Sequence, residues 1–222
     1  MVAAVSSYSG HVVPGGPAGV HELPRLTISK MSVGPMDNNA YLLRDSDTGE
    51  QLLIDAAAEP RRLLDLIGED GITAVVTTHR HADHYQALAD VVAATGCRTI
   101  AGVGDVDGIP VPTTDPVRDG DEVRIGGATL RVIELVGHTP GAIALHYDDP
   151  FGYGHLFTGD CLFPGGVGKT WSPEDFQSLI SDVESKVFAR YADETWVYPG
   201  HGDDTTLGSE RPQLPEWRAR GW

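Results

Sequence analysis

Cysteine is nearly absent. The 222 residues hold only Cys97 and Cys161, too few for a disulfide framework, and free thiols fit a reducing cytosol. Basic side chains are also scarce: 16 Lys and Arg stand against 32 Asp and Glu, a formal charge of −16. Such a surface repels phosphate backbones and anionic lipid, so neither nucleic acid nor membrane is an expected partner. No apolar run approaches the ~18 residues that a membrane span requires. The opening MVAAVSSYSG has no Lys or Arg and no sustained apolar segment, so no signal peptide is expected. The expected location is cytoplasmic. What remains is an ordinary globular balance, 41% hydrophobic and 22% charged, long enough for one large domain or two small ones.

Residues 1–24 contain Pro and Gly without a period of 2 or 3.6 and read as an irregular extension, a candidate contact for a homo-oligomer. From residue 25 the pattern changes. LTISKMSV, NAYLLRD and QLLIDAA are short β-rich runs separated by turn signals. EPRRLLDLIGEDG has helical spacing, ITAVVTT reads as a strand buried on both faces, and residues 84–95 form a second amphipathic stretch. Further strands are expected in RTIAGV, on both sides of Gly126-Gly127, in GAIALHYD, in HLFTGD and in TWVYPGH. SPEDFQSLISDVESKVFAR is the clearest helix, with Ser172 as cap and Pro173 in its first position. Many strands and about three clear helices predict two packed sheets with helices outside.

The chemistry concentrates where apolar strands end. THRHADH follows ITAVVTT and supplies His79, His81, Asp83 and His84. His138 follows LRVIELV, Asp160 follows HLFTG, and His201 follows TWVYPG. Loops at strand ends are where a rigid sheet presents groups to one pocket. In a chain with nine histidines, H-x-H-x-D-H arises by chance on the order of once per thousand such chains. Imidazole suits zinc, iron and nickel, and carboxylate suits harder ions. Several histidines with two aspartates can hold two divalent ions, bridged by a carboxylate across ~3.5–4 Å; Asp160 is the candidate bridge. His11, His21, His146 and His155 lack this context and read as surface or structural residues. Cys161, beside Asp160, reads as a small packing residue rather than a nucleophile.

THRHADH, GHTPG, TGD and PGHG in that order resemble the metallo-β-lactamase superfamily, over nearly all of the chain from about residue 25. The resemblance implies an α+β fold, an αββα sandwich with a two-metal site at one edge. It implies that His79, His81 and His138 hold one ion and that Asp83, His84 and His201 hold the other, with Asp160 between them. The implied ions are zinc, with iron or manganese as alternatives. Asp83 is also the implied catalytic residue. Asp55, which ends LLID, matches a strand-end Asp that orients a ligand histidine; a hairpin-end cap is the alternative. A hydroxide shared by two divalent ions forms near neutral pH and can attack an acyl carbon.

Within the superfamily, TGDCLFPGGVGKT looks most like glyoxalase II, a thioester hydrolase. That likeness makes Lys169 a substrate contact, with Trp171 and Tyr85 as pocket walls. Alternatively, the glycines only make a turn and Lys169 is solvated. The P-loop reading of GKT fails because Phe163 stands where its first Gly belongs. Glyoxalase II carries an added C-terminal helical domain, and the 21 residues after His201 do not resemble one. The expected partner is therefore a small acyl substrate, a thioester or ester whose thiol carrier is open. A mononuclear iron persulfide dioxygenase, or a lactone or β-lactam hydrolase, are alternatives on the same scaffold. PMDNNAYLL resembles a segment near the start of such hydrolases, and Asn38 and Asn39 read as turn formers.

Overall fold

The structure is a computed structural model and describes residues 8–221. The first sheet holds seven strands in spatial order β1 (Gly19–Glu22), β2 (Leu26–Val33), β3 (Asn38–Asp45), β4 (Gln51–Ile54), β5 (Ala74–Thr77), β6 (Arg98–Gly102) and β7 (Asp115–Val117). Its first four strands pair antiparallel and its last three join in parallel. The second sheet is built from β8 (Glu122–Ile125), β9 (Ala128–Glu134), β10 (Ile143–Asp148), β11 (Gly154–Gly159), β12 (Trp196–Pro199) and β13 (Thr205–Thr206), neighbours in that order. Only β11 and β12 run parallel there, and their register shifts between Phe157 and Gly159.

Alternation along the strands sets the layers. Ile28, Tyr41, Leu43, Ile54 and Val76 face Leu130, Val132, Leu145, Phe157 and Tyr198 between the sheets. The opposite faces are apolar too. Leu42, Leu53 and Val75 pack under α1 (Pro60–Ile67) and α2 (Leu88–Thr95). Ala144, Leu156 and Val197 pack under α3 (Pro173–Asp182), α4 (Leu207–Glu210) and α5 (Leu214–Arg220). Two mixed sheets between helical layers make the αββα sandwich. Helices cover both outer faces, which is why the strands read as continuous apolar runs.

Local chemistry explains the helix starts. The Ser172 hydroxyl accepts the Asp175 amide at 3.0 Å, and Pro173 occupies the first position. Three expectations are corrected. Residues 19–22 lie in the stretch read as irregular, yet they pair with β2 from Gly19↔Lys30 to Glu22↔Thr27; the partner strand, not local pattern, makes them a strand. Residues 1–7 of that stretch lie outside the described residues. The helix expected over 84–95 begins at Leu88, because residues 82–84 form a tighter 3₁₀ turn. The long helix becomes π-helical over Val183–Phe188. No described helix is long and apolar enough to cross a membrane.

Candidate metal centre

The predicted ligands converge at one end of the sandwich, in loops that follow β5, β9, β11 and β12. They form two groups. One ligand atom from each of His79, His81, His138 and Asp160 lies within 4.8 Å of the others, and so do those of Asp83, His84 and His201. Asp160 touches both groups. Its Oδ2 is 3.5 Å from His138 Nε2 and 3.5 Å from His201 Nε2, and its Oδ1 is 3.3 Å from His84 Nε2.

The outer nitrogens decide what the inner ones can do. His138 Nδ1 donates to the Lys169 carbonyl at 2.7 Å and His201 Nδ1 to the Met36 carbonyl at 2.8 Å. His84 Nδ1 donates to Asp55 Oδ2 at 2.8 Å. His79 Nδ1 donates to the Thr78 hydroxyl at 3.1 Å, which in turn donates to Asp55 at 2.8 Å. With Nδ1 committed as donor, each neutral ring has only a lone pair on Nε2. Those lone pairs face one another: His79 Nε2 is 3.3 Å from His138 Nε2, and His84 Nε2 is 3.2 Å from His201 Nε2. His81 turns the other way and brings Nδ1 to 3.1 Å from His79 Nε2. Converging lone pairs are stable only around positive charge.

Two further observations fit divalent ions. Asp160 Oδ1 is buried without a hydrogen-bond partner. A Cβ on Gly200 would lie 2.2 Å from that oxygen and 2.7 Å from His84 Cε1, so a side chain there would fill the cradle. The electrostatics divide the groups. Burial pushes His79 well down from its ordinary value, with His84 adding to the effect, and burial likewise lowers His81 and His138. Burial also opposes charge on His84 and His201. At His84 it is outweighed by Asp55 and Asp160, which raise the ring to about 10; at His201 Asp160 prevails. Burial would raise Asp160, but His201 and His84 hold it well below the carboxylate range.

Partners outside the ligand set place the loops. Asp55, at φ 57° beyond β4, accepts the Thr78 amide at 2.7 Å as well as Thr78 Oγ1 and His84. Asp105, which sequence reasoning missed, is fully buried. It accepts the Arg80 amide at 3.0 Å, Thr139 Oγ1 at 2.5 Å and the Gly141 amide at 2.9 Å. It thereby ties the His79–His84 loop to the His138 loop. Its one visible signal was an acid just past the strand RTIAG. Asn38 and Asn39 are not turn formers: both are buried in β3. Asn38 Nδ2 donates to Asp83 Oδ2 at 2.9 Å, and Asn39 Nδ2 donates to the carbonyls of Pro199 and Gly202, both at 2.9 Å.

The residues expected to meet substrate lie farther out. The Lys169 ammonium sits 4.4 Å from the centre of the Trp171 ring, and Trp171 is 68% exposed. Trp171 lines a cavity of about 290 Å³ with Arg80, His81, His138 and Asp175. Tyr85 does not line it; its hydroxyl lies 3.5 Å from the Gly108 carbonyl. A cavity of about 620 Å³ opens farther along β10, around Arg131, His146 and Tyr191, and includes none of the predicted site residues. His21 and His155 both contact the Tyr198 hydroxyl, His146 stacks on Tyr191, and His11 pairs with Asp203 at the surface. Burial pushes the Cys161 thiol far up, which removes it as a nucleophile.

These loops are arranged as in one known family. The family described as Metallo-beta-lactamase superfamily matches residues 33–201, and the chain belongs to it. Its relatives include hydroxyacylglutathione hydrolase of Fuscovulum blasticum, 35% identical over 169 residues, which are 74% of this chain and 62% of that protein. The chain thus spans about three-fifths of that relative's length. Among solved structures, ETHE1 from Myxococcus xanthus superposes with a TM-score of 0.76 at 28% identity, over 86% of this chain and 84% of that one. TTHA1623 in a di-iron-bound form gives a TM-score of 0.68 at 31% identity, over 82% of this chain and 96% of that one.

Proposed function

We propose that this chain is a metal-dependent hydrolase of a small thioester or ester, of the glyoxalase II type. The supporting observation is the set of four imidazoles whose Nδ1 atoms are committed outward while their Nε2 atoms converge beside the unpartnered Asp160 Oδ1. In this reading His79, His81 and His138 hold one divalent ion, Asp83, His84 and His201 hold a second, and Asp160 is shared. When bound, two such ions lower the pKa of water toward ~7 and polarise an acyl oxygen. The protein residues do the rest. Asp55 and the backbone carbonyls fix the tautomers of the ligand rings. Asp83, 21% exposed and hydrogen-bonded by Asn38, is the residue assigned the catalytic role in this reading. Trp171 and Arg80 line the approach to His81 and His138. The kinship with hydroxyacylglutathione hydrolases supports thioester chemistry.

Zinc is the proposed metal, and the di-iron form of TTHA1623 supports iron as its competitor. The test is to count metals in the purified chain and assay acyl thioesters; one ion or none per chain, or no thioester turnover when fully loaded, sinks the proposal. A second reading, a mononuclear iron persulfide dioxygenase, would draw two imidazoles and one carboxylate from the group of His79, His81, His138 and Asp160. Oxygen consumption with a persulfide separates the two.

A further inference from the structure

Lys30 lies in the middle of β2, and both its side chain and that of Asp204, 2.6 Å away, are wholly buried. Its three N–H groups find three acceptors: the Gly10 carbonyl at 2.8 Å, the Gly202 carbonyl at 2.7 Å and Asp204 Oδ1 at 2.6 Å. The other oxygen of Asp204 accepts Tyr8 Oη at 2.6 Å and Trp196 Nε1 at 2.9 Å. Gly202 directly follows His201, and its carbonyl also receives Asn39 Nδ2. One ammonium therefore joins β2, the N-terminal segment around Tyr8–Gly10, and the loop that carries a predicted ligand. A buried charge is tolerated only where its lost hydration is replaced, and here every donor is used. Removing it would strip two carbonyls and a carboxylate of a shared donor. Among the described residues, the other group of predicted ligands has no such tie to the N-terminal segment; the His138 loop is held by Asp105.

We propose that Lys30 is a positioning residue for His201: acting through Gly202, it sets how tightly the second ion is held, and through Gly10 it makes the N-terminal segment part of that ion's site. The inference rests on the two-ion reading above. Its test is binding rather than turnover. Metal-free protein is titrated with zinc against a chromophoric chelator, with the wild-type chain expected to take two ions. Lys30→Met is expected to weaken the second ion by at least ~10-fold, the scale of other outer partners of metal ligands, and to leave the first unchanged. Breaking one side of a buried pair can unfold a protein. The double variant Lys30→Met/Asp204→Leu therefore removes both charges and is expected to show the same selective loss with its circular dichroism retained. Tyr8→Phe, which removes one bond between the N-terminal segment and Asp204 and leaves the Asp204 amide on the Gly10 carbonyl at 3.1 Å, is expected to weaken the second ion by up to about fivefold, the worth of one hydrogen bond. Unchanged second-ion affinity in both Lys30 variants overturns the proposal. So does equal weakening of both ions, which would make Lys30 a general packing element. A wild-type chain that takes up fewer than two zinc ions instead overturns the two-ion reading, and this proposal with it.

Discussion

The two groups of predicted ligands in this site are built differently. In the group of His79, His81, His138 and Asp160, His79 is 1% and His138 6% exposed, and burial lowers all three rings. In the other group, the His201 and Asp83 side chains are 24% and 21% exposed, and neighbouring carboxylates raise His84 and His201. His79 and His138 make the first group the drier at two of its three rings, His81 being partly exposed. In the second, His84 is wholly buried and His201 and Asp83 meet solvent, and neighbouring carboxylates favour positive charge there before any ion arrives. Such a pair of pockets should not hold two ions equally.

The largest effect should come from Asp83→Ala. Turnover is expected to disappear while the fold stays intact and the ion of the drier group is retained; elemental analysis beside circular dichroism checks both, and a second ion still bound would erase the distinction between the groups. Replacing Asp105 by Ala should act on the drier group instead. It leaves the buried Gly141 amide without its acceptor, at about 1–3 kcal/mol for such a group, and frees the part-buried Arg80 amide, read as a lower melting temperature with disturbed binding at His79 and His138.

A pH series sharpens the same contrast. A raised histidine pKa means that protons compete with the metal from higher pH, and a lowered one means that they compete only in more acid solution. On acidification from about pH 8 to pH 5, the ion at Asp83, His84 and His201 should leave first, and the ion at His79, His81 and His138 last. Metal content after dialysis at each pH gives the order, and simultaneous loss would contradict it. The smallest effect belongs to Trp171→Ala and Lys169→Ala. Both side chains are exposed, and the Lys169 ammonium lies over the Trp171 ring. They are expected to change KM by about 10-fold or less at constant metal content, as steady-state kinetics can show.

Legibility in the sequence follows the range of the interactions. The sandwich could be anticipated because strands covered on both faces are runs of apolar residues, as in ITAVVTT. The seven groups that meet in space each stand just past such a run, so their convergence needed only the sheet. Their supports carry no local signature. Asp105 resembles any loop acid, and Lys30 looks like the polar step of an alternating strand. Asn38 and Asn39 look like turn residues because their amides reach partners 45 and 160 positions away. β1 was hidden for the same reason, since its four residues are ordered as a strand by their pairing with β2.

The shifted register between β11 and β12 carries a consequence of its own. Phe157 pairs with Tyr198, but Gly159 pairs with Pro199, so Thr158 is an extra residue inserted into the ladder. Because side chains point to opposite faces at successive positions, that insertion sets how the strand enters the turn at Gly159, φ 48°, that carries the next carboxylate. A chain shortened by Thr158 alone would keep every ligand in its composition and yet turn Asp160 away from the histidines. The shared carboxylate thus depends on a matter of odd and even: a single surplus peptide unit aims it.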